Sequence, residues 1–73
     1  MTAPAQRWRY VAAERRGGRL VAVLRDRHAA PNAPELVRVY HRLGRWRMFA
    51  DDRPAPANAA AVARRGLQAE RDR

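Results

Sequence analysis

Two glycine-bearing breaks decide how this chain is able to fold. One is Arg15-Arg16-Gly17-Gly18-Arg19 and the other is Arg42-Leu43-Gly44-Arg45. Each lies between short runs rich in valine, leucine and aromatic residues. Such runs suit strands, and glycine supplies the positive φ that tight hairpin turns demand. Each break therefore reads as the turn of a β-hairpin. The Pro-rich stretch "HAAPNAPE" separates the two hairpins, and a second, "DRPAPA", follows them. The closing "NAAAVARRGLQAERDR" is built of helix formers. The expected fold is α+β: a four-stranded antiparallel sheet of two β-hairpins with one C-terminal helix packed on one face. Residues 1–6 read as a flexible arm, and 7–73 as a single small basic domain.

Pairing follows from the turns, since residues directly opposite share a face. A turn at Arg16–Gly17, or one spanning Arg15 to Gly18, sets Glu14 against Arg19, Tyr10 against Val23 and Arg7 against Asp26. Trp8, Tyr10, Ala12, Val21 and Val23 then share one face. Val11, Ala13, Leu20, Ala22 and Leu24 share the other, with Arg9 beside them. Both faces are half apolar, whereas a sheet wetted on one side alternates more cleanly. A second copy of the chain is expected to cover part of them.

In the second hairpin a two-residue loop at Leu43–Gly44 sets Arg42 against Arg45, Tyr40 against Arg47, Val39 against Met48 and Arg38 against Phe49. Val37, Val39, His41, Trp46, Met48 and Ala50 form the expected core face. Arg38, Tyr40, Arg42, Arg45, Arg47 and Phe49 form the other. The helix is expected to start at Asn58 as N-cap, with Ala59, Val62, Ala63, Gly66 and Leu67 inward. Gly66 admits two readings: a helix end with Leu67 folding back, or an interior glycine costing about 1 kcal/mol relative to alanine. The good propensity of "LQAER" favours the longer helix.

The 73 residues carry sixteen basic and seven acidic side chains, and every basic one is arginine. A GC-rich coding sequence accounts for arginine in place of lysine, but not for a net charge of +9. That excess favours a polyanionic partner. Arginine adds a planar fork for phosphate and a face that stacks on rings and bases. A domain this small buries only about 60% of its unfolded surface. With no cysteine, neither disulfides nor thiolate metal sites are open to it. That leaves a very good single core or an oligomer, and a homodimer is expected. No apolar run approaches the ~20 residues of a membrane span, and the opening residues lack the layout of a signal peptide. The expected compartment is the cytoplasm, with no membrane partner.

Catalysis is not expected. The chain has no cysteine or serine, and its one threonine, Thr2, lies in the arm. His28 and His41 are not at metal-ligand spacing, and His41 reads as a core-edge histidine. Asp51–Asp52 reads as a solvated strand end, and "RRGGR" as a turn rather than a phosphate loop. No catalytic residue, metal or cofactor is assigned. The positive signal is the basic–aromatic face. Arginines neutralise phosphates and flat side chains stack bases. The expected nucleic-acid-binding residues are Arg38, Tyr40, Arg42, Arg45, Arg47 and Phe49, extended by Arg7 and Arg9. Single-stranded DNA or RNA is favoured over duplex, because the one helix offers little that reads bases. The plain alternative for the same face is internal stacking, Arg47 over Tyr40 and Arg38 over Phe49. The rival function is a small protein-interaction module, a phage-like inhibitor or accessory subunit. It would dock an acidic protein surface through the same arginines, with Trp8 and Tyr10 as apolar anchors.

The order of four strands and a helix resembles that of the Whirly proteins and of the single-strand-binding transcriptional coactivators. "WRYVAAERRGGRLVAVLRDR" looks like the opening hairpin of the coactivators, although the strand after "GRW" is longer here and the helix lacks their large apolar residues. "GRWRMF" followed by a helix is similar in layout to the arm-binding domain of phage-type integrases, and "NAPELVRVYHR" resembles part of the carbon-storage regulators. These are likenesses of layout, and no functional residue is carried over from them.

Overall fold

The structure is a computed structural model and describes residues 7–42 and 47–73. Five strands run in chain order: β1 (Trp8–Arg16), β2 (Arg19–Asp26), β3 (Leu36–His41), β4 (Met48–Ala50) and β5 (Arg53–Pro54). They form one antiparallel meander, each strand beside the next. A single helix, α1 (Ala57–Arg71), packs on one face. The class is the expected α+β, with five strands rather than four. The extra strand comes from the stretch read as a Pro-rich break. Asp51 takes a positive φ of 57° at the start of a two-residue connection, which sets Arg53 opposite Ala50. Aspartate tolerates this conformation better than most residues. Pro54 lacks an N–H, so it fits the sheet edge where no ladder bond is required of it.

The first hairpin turns on Gly17 and Gly18, not on Arg16–Gly17. Both glycines have positive φ, 57° and 76°, as a two-residue I′-type loop requires. Arg16 therefore opposes Arg19, and Glu14 opposes Val21. The register then slips between Tyr10 and Ala12, leaving Val11 as a bulge. This corrects the expected division of faces. Past the bulge, Tyr10 opposes Leu24 and Trp8 opposes Asp26, so both aromatics join Ala13, Leu20, Ala22 and Leu24 on the helix side. The bulge turns two half-apolar faces into one apolar face and one mainly basic face.

The second hairpin is displaced by two residues from its expected pairing. Val39 opposes Ala50, Tyr40 opposes Phe49 and His41 opposes Met48. A shift of two leaves parity intact. Val37, Val39, His41, Met48 and Ala50 still face the helix, and Arg38, Tyr40 and Phe49 still face away. The expected loop at Leu43–Gly44, the Arg42–Arg45 pair and the core position of Trp46 lie outside the described residues, as does the arm.

The core lies between the sheet and α1. Leu24, Val39 and Met48 are fully buried, with Trp8, Ala22, Ala59, Ala60, Ala63 and Leu67 around them. Small helix residues bring the helix close to the sheet. The indole Nε1 of Trp8 donates to Oδ1 of Asn58 at 3.0 Å. Asn58 is thus a clamp within the first turn and not the N-cap. The cap position is Pro56, which offers no side-chain cap, and Asn58 Oδ1 also accepts from the Ala59 N–H at 2.8 Å. The helix continues through Gly66, where an added Cβ would overlap the Tyr10 ring. Close approach of an aromatic ring explains the glycine there, at the ordinary propensity cost.

Val21 and Val23 lie on the face away from the helix, yet each is only 4% exposed. Their neighbour strands explain it. The Arg38 guanidinium on β3 reaches over β2 to Glu14 on β1, with Nε to Oε2 at 3.1 Å. This strap lies above the two valines, the surface that motivated the expectation of a second copy.

No helix among the described residues is long and apolar enough to cross a membrane.

Candidate nucleic-acid interface

Strand parity places an array of arginines on the sheet face opposite α1. Arg9 comes from β1, Arg19 and Arg25 from β2, Arg38 from β3, and Arg16 from the end of β1. Arg42, just past β3, lies over the Phe49 ring at 4.7 Å. Glu14 is the only acidic residue among the strand positions of this face. Two pairs of arginines are directly opposed, Arg9 with Arg25 and Arg16 with Arg19.

The carboxylate of Glu14 accepts from Arg38 Nε and Arg16 Nε, each at 3.1 Å. The hydrogen bond from Arg38, foremost, and that from Arg16 hold its carboxyl below the usual range against the opposing effect of desolvation. Glu14 therefore stays ionised and occupies two guanidiniums. Arg25 has a looser partner in Glu35 at 4.0 Å. Among the described residues no carboxylate pairs with Arg9, Arg19 or Arg42.

Tyr40 and Phe49 sit side by side as a cross-strand pair, both half-buried. Arg19 lies over the Tyr40 ring at 5.1 Å. The Tyr40 hydroxyl donates to the backbone carbonyl of Asp51, which fixes the ring against the β4–β5 turn. Both aromatics are stacked by arginines, but not by those expected. The displaced register opposes Phe49 to Tyr40 and leaves Arg38 to Glu14.

Of the expected residues, Arg38, Tyr40, Arg42, Phe49 and Arg9 come together on this face. Arg45 lies outside the described residues. Arg47 lines a hollow with Met48, Pro54, Ala60 and Arg64 at the start of the helix. Arg7 is turned to the other side. It pairs in bidentate fashion with Asp26 at 2.9 and 3.0 Å and stacks over Trp8 at 5.0 Å. Asp26 is buried and also accepts from the His28 backbone N–H at 3.0 Å. The Arg7 hydrogen bond, first, and the His28 amide hold the Asp26 carboxyl below its ordinary value although burial works against them. Arg7 is thus a structural residue tying the start of β1 to the loop after β2.

Sequence reasoning missed Arg16, Arg19 and Arg25. The signal was present: Arg19, Val21, Val23 and Arg25 fall on one face of β2 by alternation alone. Among the described residues no three histidine, cysteine or carboxylate side chains gather as a metal would need. No family model, no curated protein and no solved structure matches this chain.

Proposed function

We propose that the chain binds single-stranded nucleic acid across the helix-free face of its sheet. The observation that carries this reading is the direct opposition of Arg9 to Arg25 and of Arg16 to Arg19. Like charges directly opposed destabilise a sheet, and a polyanion laid over them removes that repulsion. Phosphates would meet the guanidinium edges. Bases would stack on the Tyr40–Phe49 pair or on the guanidinium planes of Arg19 and Arg42 that cover it. An open sheet face suits an unpaired strand, whose bases are free to splay onto it. The outward arginines of α1, Arg64 and Arg65, supply charge but no base-reading group. The cytoplasm is the compartment this reading implies.

The rival, docking on an acidic protein surface, called on Trp8 and Tyr10 as apolar anchors. Trp8 is 7% exposed beneath the helix, and Tyr10 packs on Gly66. Without those anchors the nucleic-acid reading is the stronger.

The test is fluorescence anisotropy of a labelled single-stranded oligonucleotide at rising salt. Each phosphate contact contributes a slope of about −0.7 in log K against log salt. Arg9, Arg19, Arg25 and Arg42, the face arginines not held by Glu14, together give about −3. Between 50 and 200 mM salt that is a loss of roughly 50-fold. Arg25→Gln is expected to reduce the slope by about 0.7, and Phe49→Leu to weaken binding without changing it. Absence of binding, or binding indifferent to salt, rejects the proposal.

A further inference from the structure

We infer that the groove between the β1–β2 turn and the last turn of α1 is a phosphate-monoester site, which takes the terminal phosphate of the bound strand. The groove has a volume of about 510 Å³ and is lined by Gly17, Gly18, Arg19, His41, Arg42 and Arg71, over Leu20 and Leu67. It lies where the basic face meets the helix layer, and both layers contribute to it. Arg19 and Arg42 belong to the face, whereas Arg71 comes from the final turn of α1.

Its charge is one-sided. Three arginines and a histidine line it, and among the described residues no acidic residue does. None of the three arginines has an ion-pair partner among the described residues. Arg19 and Arg42 engage rings through their flat faces. Stacking of that kind leaves the in-plane N–H donors for an oxygen ligand. Gly17 and Gly18 present open backbone: nothing lies within 4 Å of where a Cβ would stand on either. A ligand is therefore able to approach the turn closely. The C-terminal end of α1 opposes an anion with about half a negative charge, against the full positive charge of each of the three arginines that line the groove.

The same arithmetic selects the ligand. A phosphodiester brings one negative charge, whereas a terminal phosphate brings about −1.5 to −2 and three acceptor oxygens. The groove lies at the β1–β2 turn end of the sheet, where a strand laid along the face would leave it. Assignment to a strand end rests on the nucleic-acid reading; the anion site stands on the groove alone.

Two measurements test it on the full chain. In the first, inorganic phosphate is titrated while the amide resonances of Gly17 and Gly18 are followed by NMR. The expected result is a saturable shift of both that is lost in Arg71→Gln. Arg71 is exposed, so this substitution is expected to leave the melt unchanged. In the second, one single-stranded octamer is compared with a 5′-phosphate, with a 3′-phosphate and with neither. One of the phosphorylated forms is expected to bind about tenfold tighter than the bare octamer, and which one reports the polarity of the strand. Tenfold corresponds to 1.4 kcal/mol, near the low end for a hydrogen bond to a charged group. Arg71→Gln removes the difference. Three octamers that bind equally overturn the strand-end assignment and leave the proposed function standing. Glycine amides unmoved by phosphate overturn the site itself. No octamer binding in any form overturns the proposed function and the strand-end assignment together.

Discussion

Glu14 is the one carboxylate on a face of arginines, and its removal is the sharpest test of how that face works. It accepts from Arg16 and Arg38 at 3.1 Å each, so two guanidiniums already hold an internal anion. A phosphate arriving at either must displace a carboxylate whose charged form those hydrogen bonds favour. Glu14→Gln keeps the shape and removes the charge. Two further phosphate contacts then become available, each contributing a slope of about −0.7. The salt slope is expected to steepen from about −3 to about −4. The same two contacts amount to about fivefold each at 100 mM salt relative to 1 M, so affinity rises by up to ~25-fold. The assay is anisotropy with one labelled oligonucleotide, parent and variant side by side across a salt series. A melting curve accompanies it, because the Arg38–Glu14 strap also covers Val21 and Val23. Both partners of that strap are more than one-third exposed, and exposed ion pairs contribute little to stability, so the variant is expected to fold. A folded Glu14→Gln protein whose affinity and slope match those of the parent refutes the idea that Glu14 competes with phosphate.

Other expectations concern the fold. Gly66→Ala gains about 1 kcal/mol of helix propensity but drives a methyl into the Tyr10 ring, an overpacking that costs about 1–3 kcal/mol. Thermal denaturation is expected to show a net loss that turns into a gain when Tyr10→Ala is also present; a gain in both backgrounds counts against the contact. Leu24→Ala, at a fully buried site, is expected to cost about 2–5 kcal/mol in urea unfolding, and a parent-like midpoint contradicts the core. Deletion of Val11 removes the bulge while leaving Tyr10 opposite Leu24, so a cooperative melt close to the parent's is expected, and loss of folding indicates that the bulge does more than set faces. For Asp26, the folded pKa is depressed, so the stabilisation it confers is complete at pH 7 and is lost as pH falls below about 4 and through the folded value. Asp26→Asn is expected to lower the melting temperature at pH 7 and to lose its difference from the parent in strong acid; a difference that persists at low pH excludes the Arg7 pair as its cause.

The parts of this fold written in local periodicity were legible, and those set by distant contacts were not. Alternation assigned the faces of the paired β3 and β4 residues correctly because parity survives a two-residue shift, but alternation alone does not say where a pair begins. In the first hairpin, placing the turn one residue early also shifts the pairing by two and keeps parity; Arg16, Arg19 and Arg25 were hidden by the bulge, without which Trp8 and Tyr10 share their face. The bulge at Val11 has no mark in composition. It appears only when Trp8 and Tyr10 need to reach the helix while Ala12 stays opposite Val23. Asn58 shows the same limit, since its preference for an N-cap was overridden by an indole 50 residues away in sequence. Pro54 was read as a breaker because proline usually is one, whereas an edge strand of two residues asks nothing of its missing N–H. In the candidate site, arginines stack on Tyr40 and Phe49 as the internal-stacking alternative expected, but they are Arg19 and Arg42 in place of Arg47 and Arg38, because the register is displaced.

The central claim is that nucleic acid lies on the sheet face opposite the helix, and NMR shift mapping with a single-stranded oligonucleotide addresses it directly. The account predicts that the largest backbone shifts fall at Arg9, Arg19, Arg25, Tyr40 and Phe49, with Ala61, Arg64 and Arg65 on the outer side of the helix unmoved. Shifts centred on the helix residues, with the sheet face silent, would contradict it.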